Sequence, residues 1–213
     1  MSEPSSSVAE QFEDASQQYE AAHLGTWTFL ATEILFFGGL FMAYVAYRHA
    51  YPEGFAAGSR QVSLTFGTLN TAVLLTSSLT MALAVQAARQ RLTRSLVRCL
   101  LLTLLCATGF LVVKSFEYHD DFIQHLVPGP SFSRLLPARA EIFFFLYWAM
   151  TGLHAVHVLV GMGLLAALTA LARAGRFSGG YHTPVEMVGL YWHFVDAVWI
   201  FLYPLLYLID RHA

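Results

Sequence analysis

Five long apolar stretches dominate this sequence and strongly limit its fold. They run from Trp27 to Tyr47, Leu64 to Ala88, Cys99 to Val113, Ile142 to Ala172 and Met187 to Ile209. A membrane-spanning helix needs about 20 mostly apolar residues, and hydrocarbon offers no partners for backbone groups left open. The third stretch is short, but Arg94, Arg98 and Lys114 can extend it by reaching toward the lipid head groups. The sequence therefore predicts an all-α polytopic membrane protein, a bundle of five transmembrane helices.

The expected spans define a single membrane domain of residues 24–213. They cover residues 26–48, 64–88, 94–116, 140–172 and 186–209. Residues 1–23 are polar and acidic and contain neither Lys nor Arg. A secretory signal begins with basic residues and continues with an apolar stretch, so we expect residues 1–23 to form a flexible polar tail instead.

Composition supports a membrane location. Hydrophobic residues make up 56% of the chain and charged residues only 12%, whereas soluble domains carry about 25% charged residues. The net charge of -2 gives no reason to expect a nucleic-acid partner. Cys99 and Cys106 lie about 10 Å apart along one helix, too far for a disulfide, and we expect them to be buried small side chains.

Basic residues near the ends of the spans do not decide the orientation. With the N-terminus in the cytoplasm, each side of the membrane would carry six of them, so the positive-inside rule gives a tie. The dense cluster from Arg89 to Arg98 favours a cytoplasmic N-terminus, and Arg48 argues against it.

Small side chains recur at helical spacing and predict close helix packing. In the second span, the positions spaced by seven residues are Ser63, Asn70, Ser77 and Ala84. The pairs Gly39 and Ala43, and Gly163 and Ala167, follow the small-xxx-small pattern in the first and fourth spans.

Glu33 is the single charged residue of the first apolar stretch. Ionisable residues inside a span are costly and therefore mark candidate sites. Glu33 could bind a proton or couple to a partner protein, or it could tie helices together as a neutral hydrogen-bonded acid. No Lys or Arg lies within a helical turn or two of it, and burial without a charged partner favours the neutral form.

Two histidines in the fourth span, His154 and His157, are spaced so that they share a helix face. They could ligate a metal ion or a haem, but a metal needs further ligands from elsewhere, and His193, Asp196 and Glu186 are the few candidates. The alternative is that both histidines form hydrogen bonds between helices.

The last span carries a polar stripe of Glu186, His193 and Asp196. Glu186 and His193 stack on one face, and His193 and Asp196 are close enough in sequence to form a hydrogen bond. The stripe could relay protons, or it could be a satisfied set of side chains facing the interior of the bundle.

Four segments resemble subunit III of the haem–copper terminal oxidases, in the order and spacing of that family. The last span reads YWHFVDAVWIFLYPLLYL from Tyr191 to Leu208, and the fourth contains TGLHAVHVLVG from Thr151 to Gly161. The second contains LNTAVLL from Leu69 to Leu75, and the first contains TEILFF from Thr32 to Phe37. The resemblance extends from about His23 to the C-terminus.

The resemblance implies a non-catalytic subunit of a proton-pumping respiratory oxidase that reduces oxygen to water. It implies no haem or copper in this chain, because partner subunits hold them. The expected partners are subunit I as the main contact, subunit II, and membrane lipids including structural phospholipid. It also implies a bacterial cytoplasmic membrane location, with the N-terminus in the cytoplasm, and a role in sustaining proton uptake and resisting inactivation during turnover.

The resemblance also assigns individual residues. Glu33 falls on the membrane glutamate of the family that reacts with carbodiimide. The signature positions are His154, His157, Trp192, His193 and Asp196. The segment that contacts lipid head groups contains Arg173, Arg176 and His182. The chain matches the five-helix bacterial form, which lacks two helices that help to hold lipid in the longer members.

Other functions are compatible with parts of the pattern. An accessory protein of nitric oxide reductase resembles the same family, and a quinol oxidase subunit III often has aspartate where Glu33 stands; cytochrome c is the expected electron donor. A transporter using Glu33 and Asp196 as proton sites would be expected to show repeats or broken helices, and neither is evident. A haem-carrying membrane enzyme would need more paired histidines.

Overall fold

The computed structural model describes residues 11–133, 135–137, 139–177 and 182–209. The helices are α1 (Ala15–Ala50), α2 (Pro52–Gln61), α3 (Leu64–Arg89), α4 (Thr93–Ile123), α5 (Ala140–Arg173) and α6 (Thr183–Tyr203). A π-helical segment, Pro204–Leu208, continues α6. Within the described residues, five helices are long and apolar enough to cross a membrane: α1, α3, α4, α5, and α6 with its π-helical end. The predicted all-α, five-span fold is confirmed.

The ends of several helices differ from the expected boundaries. Asp14 caps α1 by accepting a 2.7 Å hydrogen bond from the backbone of Gln17, so residues 15–23 are helical and the predicted tail was too long. α4 continues to Ile123, seven residues beyond the expected end at residue 116. The connection between the first two spans folds into the short helix α2, which Pro52 begins.

Consecutive spans alternate in direction, whereas α1 and α6 run parallel, with Phe29 beside Tyr191 and Phe41 beside Phe201. α6 lies at the centre of the bundle. Half of the α6 span is buried, but only 17% of the α1 span. α6 packs against α1, α3 and α5, while α4 packs between α3 and α5. Two tryptophans tie α6 to α3 by hydrogen bonds two turns apart: Trp192 donates to Ser77 at 2.9 Å and Trp199 to Thr71 at 3.0 Å.

Small residues divide into buried and exposed sets. Asn70, Ser77 and Ala84 of α3 are fully buried, as close packing requires. Gly39, Gly163 and Ala167 are exposed on the outside of the chain. These three positions do not pack within this chain, and close packing of another helix against them stays a prediction. Cys99 and Cys106 are free and only partly buried, against expectation.

Candidate functional site

Glu33 has a partner from another helix. Its Oε2 lies 3.1 Å from Nε2 of His157 on α5, and the two side chains are only 19% and 17% exposed. The Nδ1 of His157 lies 2.8 Å from the carbonyl oxygen of Leu153, and a carbonyl can only accept, so Nδ1 carries a hydrogen. The lack of a Lys or Arg near Glu33 on its own helix gives no indication of this histidine, which comes from α5.

The fixed Nδ1–H of His157 limits what the pair can do. A hydrogen must lie between Glu33 and Nε2, either on a carboxylic acid that donates to the ring or on an imidazolium that donates to a carboxylate. The pair therefore holds one proton in either form. Tyr191 of α6 donates to the carbonyl oxygen of His157 at 2.9 Å and the Phe37 ring lies 5.2 Å from the imidazole, so α1, α5 and α6 all meet here.

His154 and His157 diverge although they are three residues apart. His154 is fully buried between the rings of Phe110 and Trp199, at centroid distances of 5.5 and 5.2 Å. Neither of its nitrogens has a hydrogen-bond partner among the described residues. The expected hydrogen bond between helices thus exists for His157 and is absent for His154. Across the described part of the chain, no three His, Cys, Asp or Glu residues group closely enough to hold a metal ion.

The polar stripe of α6 is split among different partners. Buried Glu186 accepts a 2.6 Å hydrogen bond from Arg89 of α3, and His182 lies 3.4 Å from the same carboxylate oxygen. His193 Nδ1 lies 2.9 Å from the Ser78 hydroxyl. The possible bond between His193 and Asp196 is not formed, because neither carboxyl oxygen of Asp196 has a partner among the described residues.

Asp196 is buried on α6 without a matching donor. Neither carboxyl oxygen has a hydrogen-bond partner among the described residues, although Ser78 is the polar side chain that faces it. His193, by contrast, shares a cavity with Glu186, Arg89, and His23 of α1. A proton relay running directly from His193 to Asp196 is therefore not built into this arrangement.

The remaining positions assigned from the resemblance lie at the ends and in the core of the bundle. Trp192 is fully buried, with its ring against Gly161 of α5. Arg173 ends α5, and Arg176 follows it; both are exposed. His182 is partly buried beside Glu186, so these basic side chains lie at the end of the bundle that also carries Arg89.

The most extensive polar network was not expected. Lys114 does not reach toward the head groups: it is 2% exposed, and its Nζ donates to Glu117 Oε2 at 2.9 Å, to Tyr147 Oη at 2.9 Å and to Tyr207 Oη at 2.8 Å. Tyr147 Oη also lies 3.0 Å from both Glu117 Oε1 and Asp121 Oδ2, and Tyr207 donates to Glu117 Oε1 at 2.8 Å. The network joins α4, α5 and the π-helical segment.

A sequence signal for this network does exist. Lys114, Glu117 and Asp121 are spaced three and four residues apart, which puts them on one face of a helix. A third span that ends at residue 116 leaves Asp121 in the polar connection after it, so the three side chains would not share a helix. Recognising the face required the longer helix that the structure shows.

Comparisons with known proteins support one family. A family model described as cytochrome c oxidase subunit III matches residues 11–210. A protein of Thermostichus vulcanus named cytochrome c oxidase subunit 3 is 33% identical over 189 residues, covering 88% of this chain and 87% of that protein. The protein of the same name from Corynebacterium diphtheriae is 32% identical over 195 residues, covering 88% and 87%.

The similarity also extends to a longer animal relative. The cytochrome c oxidase subunit 3 of Loxodonta africana is 29% identical over 194 residues, which cover 88% of this chain but 69% of the elephant protein. The aligned region thus includes nearly all of the five-span bundle and leaves about a third of the longer relative unmatched.

Proposed function

Because the chain belongs to the cytochrome c oxidase subunit III family, we propose that it supports its oxidase complex without carrying out chemistry of its own. As a subunit III it is part of a haem–copper oxidase, and the nitric oxide reductase and quinol oxidase alternatives are not favoured by its relatives. The observation that carries the proposal is that two polar groups of the spans are bonded to partners within this protein. Glu33 engages His157 and Lys114 engages Glu117, each within the protein.

The redox centres belong, in this proposal, to other subunits. Haem and copper are held by the partners, subunit I is the main contact and subunit II lies in the same complex, with cytochrome c as the electron donor. The exposed small residues Gly39, Gly163 and Ala167 support a protein neighbour, because they allow another helix to approach closely.

Membrane lipid is a further proposed partner. An apolar groove between α1 and α6, lined by residues including Phe41, Ala197 and Phe201, has the character to accept an acyl chain. Arg173, Arg176 and His182 lie at one end of the bundle and would meet anionic head groups. These basic side chains and the apolar groove support structural phospholipid in the family's five-helix form.

The proposed location is a bacterial cytoplasmic membrane, with the N-terminus inside. Five antiparallel spans would then put the C-terminus outside, and the Arg89–Arg98 cluster would face the cytoplasm, as the positive-inside rule favours. A reporter enzyme fused after Ala213 should be active only on the outer side. Activity confined to the cytoplasm would reverse the proposed orientation.

Removing the chain tests the proposed function directly. We expect the oxidase lacking this subunit to begin oxygen reduction normally and then to lose activity during sustained turnover, because the subunit protects rather than catalyses. The purified remainder should keep the haem and copper content of the parent. Complete and immediate loss of oxygen reduction, with subunits I and II assembled, would contradict the proposal, as would loss of a redox centre along with the chain.

Substitution of Glu33 separates a structural from a chemical role. Glu33→Gln should preserve most oxygen consumption, because the amide can donate to Nε2 of His157 as a neutral acid does. Glu33→Ala should cost the complex about 1–3 kcal/mol of stability, because it removes the partner of Nε2 of His157. The measurement is steady oxygen consumption and thermal stability of both variants beside the parent. If Glu33→Gln abolished turnover in an intact complex, Glu33 would be an obligatory proton carrier.

A further inference from the structure

The buried network around Lys114 contains six polar contacts at hydrogen-bond distance. Lys114 makes three of them, Tyr207 makes one more to Glu117, and Tyr147 makes one each to Glu117 and Asp121. All six lie between 2.8 and 3.0 Å. At such distances each pair of polar atoms needs one hydrogen between them.

The side chains in their ordinary ionised forms supply one hydrogen too few. An ammonium group has three, each phenol has one, and an ionised carboxylate has none. Lys114 fills its own three contacts, and Tyr207 fills its contact to Glu117. Tyr147 then has a single hydrogen for two contacts of 3.0 Å, one to each carboxyl. The missing hydrogen must therefore lie on Asp121 or Glu117.

The charge balance of the site also indicates one bound proton. With every group ionised, one lysine and two carboxylates would leave the site with a net negative charge, although Lys114, Glu117 and Asp121 are only 2%, 1% and 3% exposed. An uncompensated buried charge is costly, and one bound proton makes the site neutral.

Among the residues that the structure describes, no second cation contacts the network. On α4, Tyr118 lies under Lys114 and Asp120 is the exposed neighbour of Asp121. On α5, His154 packs between aromatic rings and has no bond to either carboxyl group. From the π-helical segment only the Tyr207 phenol reaches Lys114.

We propose that this network binds one exchangeable proton, shared between Asp121 and Glu117 through the hydroxyl of Tyr147. When Asp121 passes its proton to Tyr147 Oη, Tyr147 passes its own hydrogen to Glu117 Oε1. The O–H bond of Asp121 breaks, and an O–H bond forms on Glu117. Tyr147 gains one hydrogen and loses one, so it is a neutral phenol before and after the transfer. Lys114 remains an ammonium throughout, so the negative charge moves from Glu117 to Asp121 without a change in total charge.

Infrared difference spectroscopy of the purified oxidase complex tests this proposal. Asp121→Asn should remove one carbonyl band of a protonated carboxylic acid, compared with the parent. Glu117→Gln should remove the same band, because Asp121 must then stay ionised to balance Lys114. If Asp121 and Glu117 were both ionised and only structural, neither substitution would remove an acid band. In the parent, the band should shift in D2O because the proton exchanges.

The adjacent Asp120 provides a matched control. It is exposed on the same helix, and Asp120→Asn should leave the band in place. The proposal is overturned if neither Asp121→Asn nor Glu117→Gln removes an acid band, or if Asp120→Asn removes the same one. A parent band that does not shift in D2O also overturns the proposal. That measurement uses the parent complex alone, so it does not depend on whether a variant assembles.

Discussion

Replacing Lys114 with methionine is expected to destabilise the chain by about 3–5 kcal/mol, the cost of removing one partner from a buried ion pair. Methionine fills much of the same volume, so packing loss is a minor part of the effect. The substitution removes the one cation that the described residues bring to the network, with its three hydrogen bonds to Glu117, Tyr147 and Tyr207. The Glu117 carboxylate would then stay buried without a counter-ion or have to take up a second proton.

The measurement is the thermal stability of the purified complex and the fraction that retains this subunit. Arg94→Met, at an exposed position of the same helix, controls for loss of positive charge and should have little effect. The double variant with Lys114→Met and Glu117→Gln should recover part of the loss, because it removes the unbalanced carboxylate as well. A Lys114→Met chain as stable as the parent would show that the ion pair contributes nothing to the bundle.

Gly161→Ala is expected to destabilise the contact between α5 and α6 by about 1–3 kcal/mol, the usual cost of overpacking. A Cβ at this position would lie 2.7 Å from Cζ3 and 2.8 Å from Cε3 of the Trp192 ring. The ring has little freedom to move, because Trp192 is fully buried and its Nε1 is bonded to Ser77. The clash therefore has to be relieved by separating the two helices.

Gly163 offers a matched control two residues away. A Cβ there meets nothing within 4 Å, and alanine is a better helix former than glycine, so Gly163→Ala should be neutral or slightly stabilising in the isolated chain. Thermal unfolding of the solubilised subunit, followed by circular dichroism, distinguishes the two substitutions. Equal effects at both positions would mean that the Trp192 contact does not limit the packing.

The spans were predictable because hydrocarbon imposes a requirement that each helix must meet along its own sequence. An apolar stretch such as Leu64 to Ala88 satisfies it locally and can be recognised without knowing its neighbours. The end of α4 was not predictable on this basis. Residues 117–123 include two buried carboxyl groups, and they are helical because Lys114 and two tyrosines from elsewhere in the bundle satisfy them.

Pairing between helices was the other limit of the sequence analysis. The spacing of His154 and His157 correctly places them near each other on α5, but the small angular difference between them sends one toward Glu33 and the other toward Trp199. Similarly, His193 and Asp196 could have bonded to each other, yet Ser78 of α3 binds His193 instead. Such choices depend on which neighbouring helix is closest, which a single sequence does not specify.

The π-helical segment Pro204–Leu208 changes the phase in which the end of α6 presents its side chains. A π turn holds more residues than an α turn, so positions after Pro204 lag behind the angle that the preceding helix would give them. This lag helps to bring the Tyr207 ring over Gly67 and its hydroxyl to Lys114. The inward face of the last turn is thus set by a backbone irregularity, and a helical wheel drawn from the first turns of α6 would misplace Tyr207.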